Sequence, residues 1–156
     1  MIQPYEVPYT EFKALCLSMS EQAQLFRPDA VLCIARGGMT ASHIIAKALN
    51  LPIAFIIRYG HMTQSAGLDL FQRLLVVDDM VDQGRTFDLV KYYLDKFFPN
   101  KEVMYSAVFQ VGDYEVDLVG EVAKDKWLIM PNEESCKVTV GDKNLFSEGS
   151  SKYGTS

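Results

Sequence analysis

Apolar residues recur along this chain in two rhythms. Over residues 10–26 they return every third or fourth position, as Phe12, Leu15, Met19, Ala23 and Phe26. That spacing predicts an amphipathic helix, with Thr10 placed to cap its start and Pro28 and Asp29 to stop it. Residues 30–35, AVLCIA, are continuously apolar, as expected of a strand covered on both faces. A second helical pattern runs from about 40 to 49, with Ile44, Ile45, Ala48 and Leu49 on one side, and LPIAFIIR at 51–58 reads as the next strand. Residues 59–72, YGHMTQSAGLDLFQ, follow neither rhythm and read as a mobile loop.

Strand RLLVVDD at 73–79 leads into a helix over about 85–98, with Phe87, Val90, Leu94, Phe97 and Phe98 on one face and Pro99-Asn100 at its end. EVMYSAVF, VDLVGEVA and KWLIMP supply three further strands. Strands alternating with helices predict an α/β fold, a single domain with a mostly parallel twisted sheet flanked by helices. In such sheets, ligands bind beyond the carboxyl ends of the strands. Two conspicuous segments, ARGG at 35–38 and DDMVDQGRT at 78–86, both fall there.

Composition narrows the possibilities. A chain of 156 residues with 49% hydrophobic and 22% charged residues suits one globular domain, here 1–146, followed by a tail over 147–156 of disordered composition. The net charge of −5 argues against a nucleic-acid footprint, which needs clustered Lys and Arg. Phosphate binding would have to be local and made by backbone groups. Cys16, Cys33 and Cys136 lie far apart and form no CxxC, which gives neither a zinc site nor a disulfide framework. The start, MIQPYEVPYTEF, lacks the pattern of a signal peptide, and no apolar run approaches a membrane span, so the chain reads as cytoplasmic with reduced thiols and no membrane partner.

The segment LLVVDDMVDQGRT combines a phosphate cup with three carboxylates. It is not the GxxxxGK[ST] loop of nucleoside triphosphatases, and the chain lacks GxGxxG. In the turn, Gly84 lets the backbone approach a ligand closely. The N–H groups of residues 83–86, the Thr86 hydroxyl and the start of the next helix can together hold a phosphate. Carboxylates repel a phosphate, so they should serve other groups: sugar hydroxyls, which donate hydrogen bonds, or a metal ion with its waters. Successive strand residues face opposite sides, which predicts separate tasks for Asp78 and Asp79. Asp82, at the lip of the turn, is placed to reach further. A phosphate cup with acids for hydroxyls describes a pentose phosphate.

VVDDMVDQGRT resembles the phosphoribosyl-pyrophosphate (PRPP) signature of the type I phosphoribosyltransferases. VLCIARGGMTASHIIAKALNLPIAF resembles that family's pyrophosphate loop and its helix. KWLIMPNE is similar to the purine-binding hood of the bacterial xanthine-guanine and related 6-oxopurine members. The resemblance covers about residues 8–135 in order, with the hood at about 120–135. It implies transfer of ribose 5-phosphate from PRPP to a nucleobase, purines favoured, with Mg²⁺ as cofactor and a homodimer or homotetramer as the assembly.

Residue by residue, the resemblance implies that Gln83, Gly84, Arg85 and Thr86 hold the 5′-phosphate. Asp78 and Asp79 take the ribose hydroxyls directly or through Mg²⁺, with Asp79 foremost. Asp82 handles a proton of the base. Arg36, Gly37 and Gly38 bind pyrophosphate, and the Ala35–Arg36 peptide is a candidate for the cis form. Trp127 stacks on the base, and backbone groups near Leu128 read its edge. Two positions depart from the family pattern: Gln83 stands where Thr or Ser is usual, and Gln110 where 6-oxopurine members carry a Lys that donates to the base oxygen. Gln110 can donate to an oxygen or accept from an amine, which leaves the base open among purines and other nucleobases.

Other residues read more plainly. His43 falls on an exposed helix side and His61 in the loop. Arg85 also reads as a solvent-facing charge, and Met19, Met39 and Met80 as packing residues. A rival to the enzyme is a regulatory module of the same fold that senses PRPP or a nucleotide. The altered Gln83 and Gln110 favour that rival, while Asp82 and the acidic charge oppose a nucleic-acid regulator.

Overall fold

The computed structural model describes residues 3–131 apart from 60 and 66. The tail over 147–156, Cys136 and the last residues of the hood segment lie outside them. Strands β1 (Pro4–Glu6), β2 (Ala30–Ala35), β3 (Ile53–Tyr59), β4 (His61–Gln64), β5 (Arg73–Val81), β6 (Glu102–Gln110), β7 (Leu118–Val122) and β8 (Trp127–Ile129) alternate with helices α1 (Tyr9–Ala23), α2 (Met39–Leu49) and α3 (Arg85–Phe97). The main sheet has the order β4-β3-β2-β5-β6-β7. All its pairs are parallel except β3–β4. The expected single α/β domain with a mostly parallel sheet is the observed one.

The strand pattern explains the layering. Ala30, Leu32, Ile34, Leu74 and Val76 face one side, where they pack with Phe87, Val90 and Leu94 of α3. Val31, Leu75 and Val77 face the other, with Phe12, Cys16 and Met19 of α1 and Ala41, Ile44 and Ile45 of α2. A strand buried on both faces has no polar position to spare, which is why AVLCIA is apolar throughout.

Several local expectations change. Helix α1 begins at Tyr9 after Pro8 and has no side-chain cap, so Thr10 lies inside the helix; residues 24–26 continue as a tight turn that ends at Arg27 with a left-handed φ of 55°. The stretch 59–72 is more regular than its composition implies. β4 adds to the edge of β3 as an antiparallel strand, with Ile56 opposite Gln64. Ser65 closes the pairing from both groups: its N–H donates to the Phe55 carbonyl at 2.9 Å, and its hydroxyl accepts from the Phe55 N–H at 2.9 Å. Leu68 is buried on the short turn Leu68–Leu70. Strand pairing supplied by β3 overrides a sequence with no apolar rhythm of its own.

Three side chains expected in the core are exposed: Met39, Ala48 and Phe97. Each sits near a helix end, where the apolar stripe runs off the sheet.

β1 and β8, far apart in sequence, form a separate parallel pair with Tyr5 opposite Leu128. Val7, Leu128 and Met130 anchor it to the α1 side of the core. β1 carries no sequence signal of its own, being only three residues long and exposed.

Candidate active site

β5 ends beside the first turn of α3, and the chain between them forms the site. Gly84 is the N-cap of α3 with φ 75°, and no side chain caps the helix. The first bond of the helix runs from the Asp88 N–H to the Gly84 carbonyl at 2.8 Å. The N–H groups of residues 85–87 therefore precede any intrahelical partner and remain for a ligand. Residues 80–87 with Asp78 line a concavity of about 290 Å³. Gln83, Gly84, Arg85 and Thr86 all face it, with Asp82 exposed at its rim.

The second glycine segment lies against the acids. Gly38 packs so tightly on β5 that a Cβ there would stand 2.4 Å from the Val77 carbonyl oxygen and 2.8 Å from that of Ile34. A Cβ on Gly37 would stand 3.1 Å from Asp79 Oδ1 and 3.2 Å from Asp78 Oδ1. The adjacent pair of glycines thus lets the ARGG turn nestle on the end of β5, with Arg36 exposed beside it. The Ala35–Arg36 peptide is cis. Helix α2 starts at once after Gly38.

Strand alternation would turn the carboxylates of Asp78 and Asp79 apart, but here they lie together. Both carboxylates reach Gly37, because Asp78 Oδ1 turns back to accept the Asp79 N–H at 2.8 Å. Burial, and then the charge of Asp79, hold the Asp78 carboxyl well above the usual carboxylate range. Two carboxylates side by side offer a place at which a cation could bind. Their oxygens are the hard donors Mg²⁺ prefers, and Mg²⁺ commonly takes only one or two carboxylates and completes its shell with water and substrate phosphates. Among the described residues no group of three or more metal-ligating side chains is found, so the substrate would have to supply the remainder.

The residues expected to read the base lie on β6 and β8. Gln110 ends β6 with its side chain buried, and its Nε2 donates to the Gly112 carbonyl at 3.1 Å. It does not line the concavity beside α3. Its amide closes the turn after its own strand, and a base would have to share or replace that bond. Trp127 is 59% exposed on β8, free of the core. The Leu128 side chain is buried among core residues, which leaves recognition at that position to the backbone.

Two residues of the segment after β6 escape the sequence reading. A Cβ on Gly112 would stand 2.4 Å from Asp82 Oδ1. One on Gly84 would stand 2.0 Å from the ring of Tyr114. Neither Gly112 nor Tyr114 belongs to a local motif; only the parallel pairing of β5 with β6 brings them to the site.

Comparisons with known proteins show the family and the fold. A family model described as "Phosphoribosyl transferase domain" matches residues 19–117, well over half of the chain. The xanthine-guanine phosphoribosyltransferase of Idiomarina loihiensis is 27% identical over 114 residues, 65% of this chain and 68% of that protein. Among solved structures, the xanthine-guanine-hypoxanthine phosphoribosyltransferase of Helicobacter pylori superposes with a TM-score of 0.74 at 24% identity, covering 83% of this chain and 92% of that one. A purine phosphoribosyltransferase from Pyrococcus horikoshii gives 0.70 at 19% identity, covering 88% and 98%. The structural likenesses establish the fold.

Proposed function

The chain belongs to the phosphoribosyl transferase domain family, and from that premise we propose that it transfers ribose 5-phosphate from PRPP to a purine base, with hypoxanthine, guanine and xanthine as the favoured acceptors. The observation that carries the reading is the junction of β5 and α3: an uncapped helix start at a glycine turn, with two carboxylates meeting the ARGG turn beside it. The names of the relatives support the choice of purine.

In this reading the N–H groups of residues 83–86 and the Thr86 hydroxyl hold the 5′-phosphate at the positive end of α3. Gln83 contributes its backbone N–H. Arg85 adds charge at the mouth of the concavity. Asp78 and Asp79 orient the ribose hydroxyls, and with substrate oxygens they would hold Mg²⁺, which supplies positive charge to the departing pyrophosphate. Arg36 and the backbone of Gly37 and Gly38 bind that pyrophosphate. The bond from C1′ to the pyrophosphate oxygen breaks, its electron pair leaving with pyrophosphate, and a ring nitrogen of the base bonds to C1′. Asp82 takes the proton that the base gives up. General base help of this kind is worth about 10²–10⁴-fold. Trp127 stacks on the base and the backbone near Leu128 reads its edge.

The engaged Gln110 amide favours a second reading, in which the acceptor is a different nucleobase. A panel of hypoxanthine, guanine, xanthine, adenine and uracil with PRPP and Mg²⁺ separates the two. Conversion of the 6-oxopurines supports the first reading, and conversion of adenine or uracil alone supports the second. PRPP binding with no turnover of any base points instead to a regulatory module. A homodimer or homotetramer is part of the same proposal and is read by sedimentation. Among the described residues no helix is long and apolar enough to cross a membrane. A cytoplasmic location, with no membrane or nucleic-acid partner, completes the reading.

A further inference from the structure

The geometry points to Tyr114 as a positioning residue that seats the phosphate-holding turn from behind. It lies between β6 and β7, outside the run of residues lining the concavity, and yet its ring is the nearest neighbour of Gly84: a Cβ there would stand 2.0 Å from Tyr114 Cδ2 and 2.2 Å from Cε2. The ring stacks on Phe87 with centroids 6.2 Å apart and planes inclined by 28°. Its hydroxyl donates to Asp88 Oδ1 at 2.8 Å and accepts from Lys91 Nζ at 2.9 Å. The Lys91 ammonium also stands 5.1 Å from the ring centroid. One side chain therefore touches the N-cap and three further positions in the first two turns of α3.

Those contacts fix what the cup depends on. Gly84 needs its left-handed φ of 75° to turn the following N–H groups toward the concavity. A flat ring pressed on its Cα allows that turn little freedom. The hydroxyl ties the same ring to Asp88, so the cap and the helix start move as one unit. Preorganised donors cost no ordering when the ligand arrives. Removal of the ring should thus weaken sugar-phosphate binding while base binding, built on other elements, stays as it is.

This rests on the turn being the sugar-phosphate site, and the test separates the two. Ribose 5-phosphate is titrated into wild type, Tyr114→Phe and Tyr114→Ala, with binding read from the amide NMR signals of Gly84, Arg85 and Thr86. KM for PRPP and for the base are measured in parallel. Tyr114→Phe keeps the ring and should lose about twofold to threefold in binding, whereas Tyr114→Ala should lose about tenfold or more, with the KM for the base within twofold of wild type. Gly84→Ala should bind more weakly than wild type, and combining it with Tyr114→Ala should cost less than the two separate losses together, because the clash with the ring is gone. If wild type binds and Tyr114→Ala binds as well, or if both KM values rise equally, the role is overturned although the function stands. If wild type shows no response at residues 84–86, the sugar-phosphate site itself is wrong, and the role falls with it.

Discussion

Asp78 Oδ1 accepts the amide N–H of Asp79 at 2.8 Å, and both carboxylates come to rest against Gly37. Two adjacent acids on a strand would ordinarily point apart. Here they concentrate negative charge at the meeting of β5 with the ARGG turn, and burial makes that charge costly for Asp78. Positive charge brought to this spot would favour the ionised form of Asp78.

A stability consequence follows for Asp78→Asn. The folded-state pKa of Asp78 is raised, so its neutral form favours folding and its ionised form opposes it. The penalty is absent below the unfolded value of about 3.9 and grows as pH rises from there through the folded value. Asp78→Asn keeps the oxygen that accepts the Asp79 N–H. Without divalent cation it should melt higher than wild type at neutral pH and equal to it near pH 3. Thermal scans over pH 3–8 check this; a lower melting point at neutral pH would contradict it.

Asp82 is assigned the proton of the base. Asp82→Asn should lower kcat by about 10²–10⁴-fold and leave the melting temperature within a degree or two, since the side chain is exposed. Steady-state kinetics with PRPP near saturation decide it. A kcat near wild type would remove Asp82 from the chemistry.

Gly112 should be nearly as sensitive as Asp82. A Cβ there would meet Asp82 Oδ1 at 2.4 Å and the Asp82 carbonyl oxygen at 2.5 Å. Gly112→Ala should displace the acid and cost about 10²-fold in kcat. Retained activity would show that the acid needs no fixed place.

Gly38→Ala addresses the fold of the ARGG turn. Its Cβ would meet two backbone carbonyls, which cannot swing aside as a side chain can. A cost of about 1–3 kcal/mol is expected, which lowers the melting temperature by roughly 2–12 °C for a chain of this size. Thermal denaturation measures it, and an unchanged melting point would contradict the close packing.

Burial pushes the Cys16 thiol up to about 12 and the Cys33 thiol up to about 11. Both should resist alkylation in the native protein at pH 8 and react once it is unfolded in denaturant, as peptide mapping by mass spectrometry would show. Raised thiol values favour the protonated form in the fold. The stability they contribute is complete below the unfolded value of about 8.5 and is lost as pH rises through 11 to 12. Labelling of either cysteine in the native state would contradict the buried core.

Much of this was legible in the sequence, for reasons that differ by element. AVLCIA and RLLVV had to be central strands because nothing polar interrupts them, and their order with the helices fixed the α/β class. The segment VVDDMVDQGRT spans one turn and one helix start, so local sequence carries its geometry, and residues 83–86 line one concavity. What stayed hidden depends on partners distant in sequence. β4 exists because β3 offers it an edge. β1 exists because β8 does. The bond from the Gln110 amide to the Gly112 carbonyl two residues on has no signature in the sequence. Tyr114 gave no signal, because its partner is Gly84, thirty residues away by number and in contact only through the pairing of β5 and β6.

Everything proposed for this site turns on group transfer from PRPP to a purine. Its most direct test is mass spectrometry of the purified protein with PRPP, Mg²⁺ and hypoxanthine, guanine or xanthine, with pyrophosphate measured alongside. A nucleoside 5′-monophosphate should form in equal amount to pyrophosphate, and Asp82→Asn should slow its formation about 10²-fold or more. Pyrophosphate release without nucleotide, or no product from any of the three purines, would contradict it.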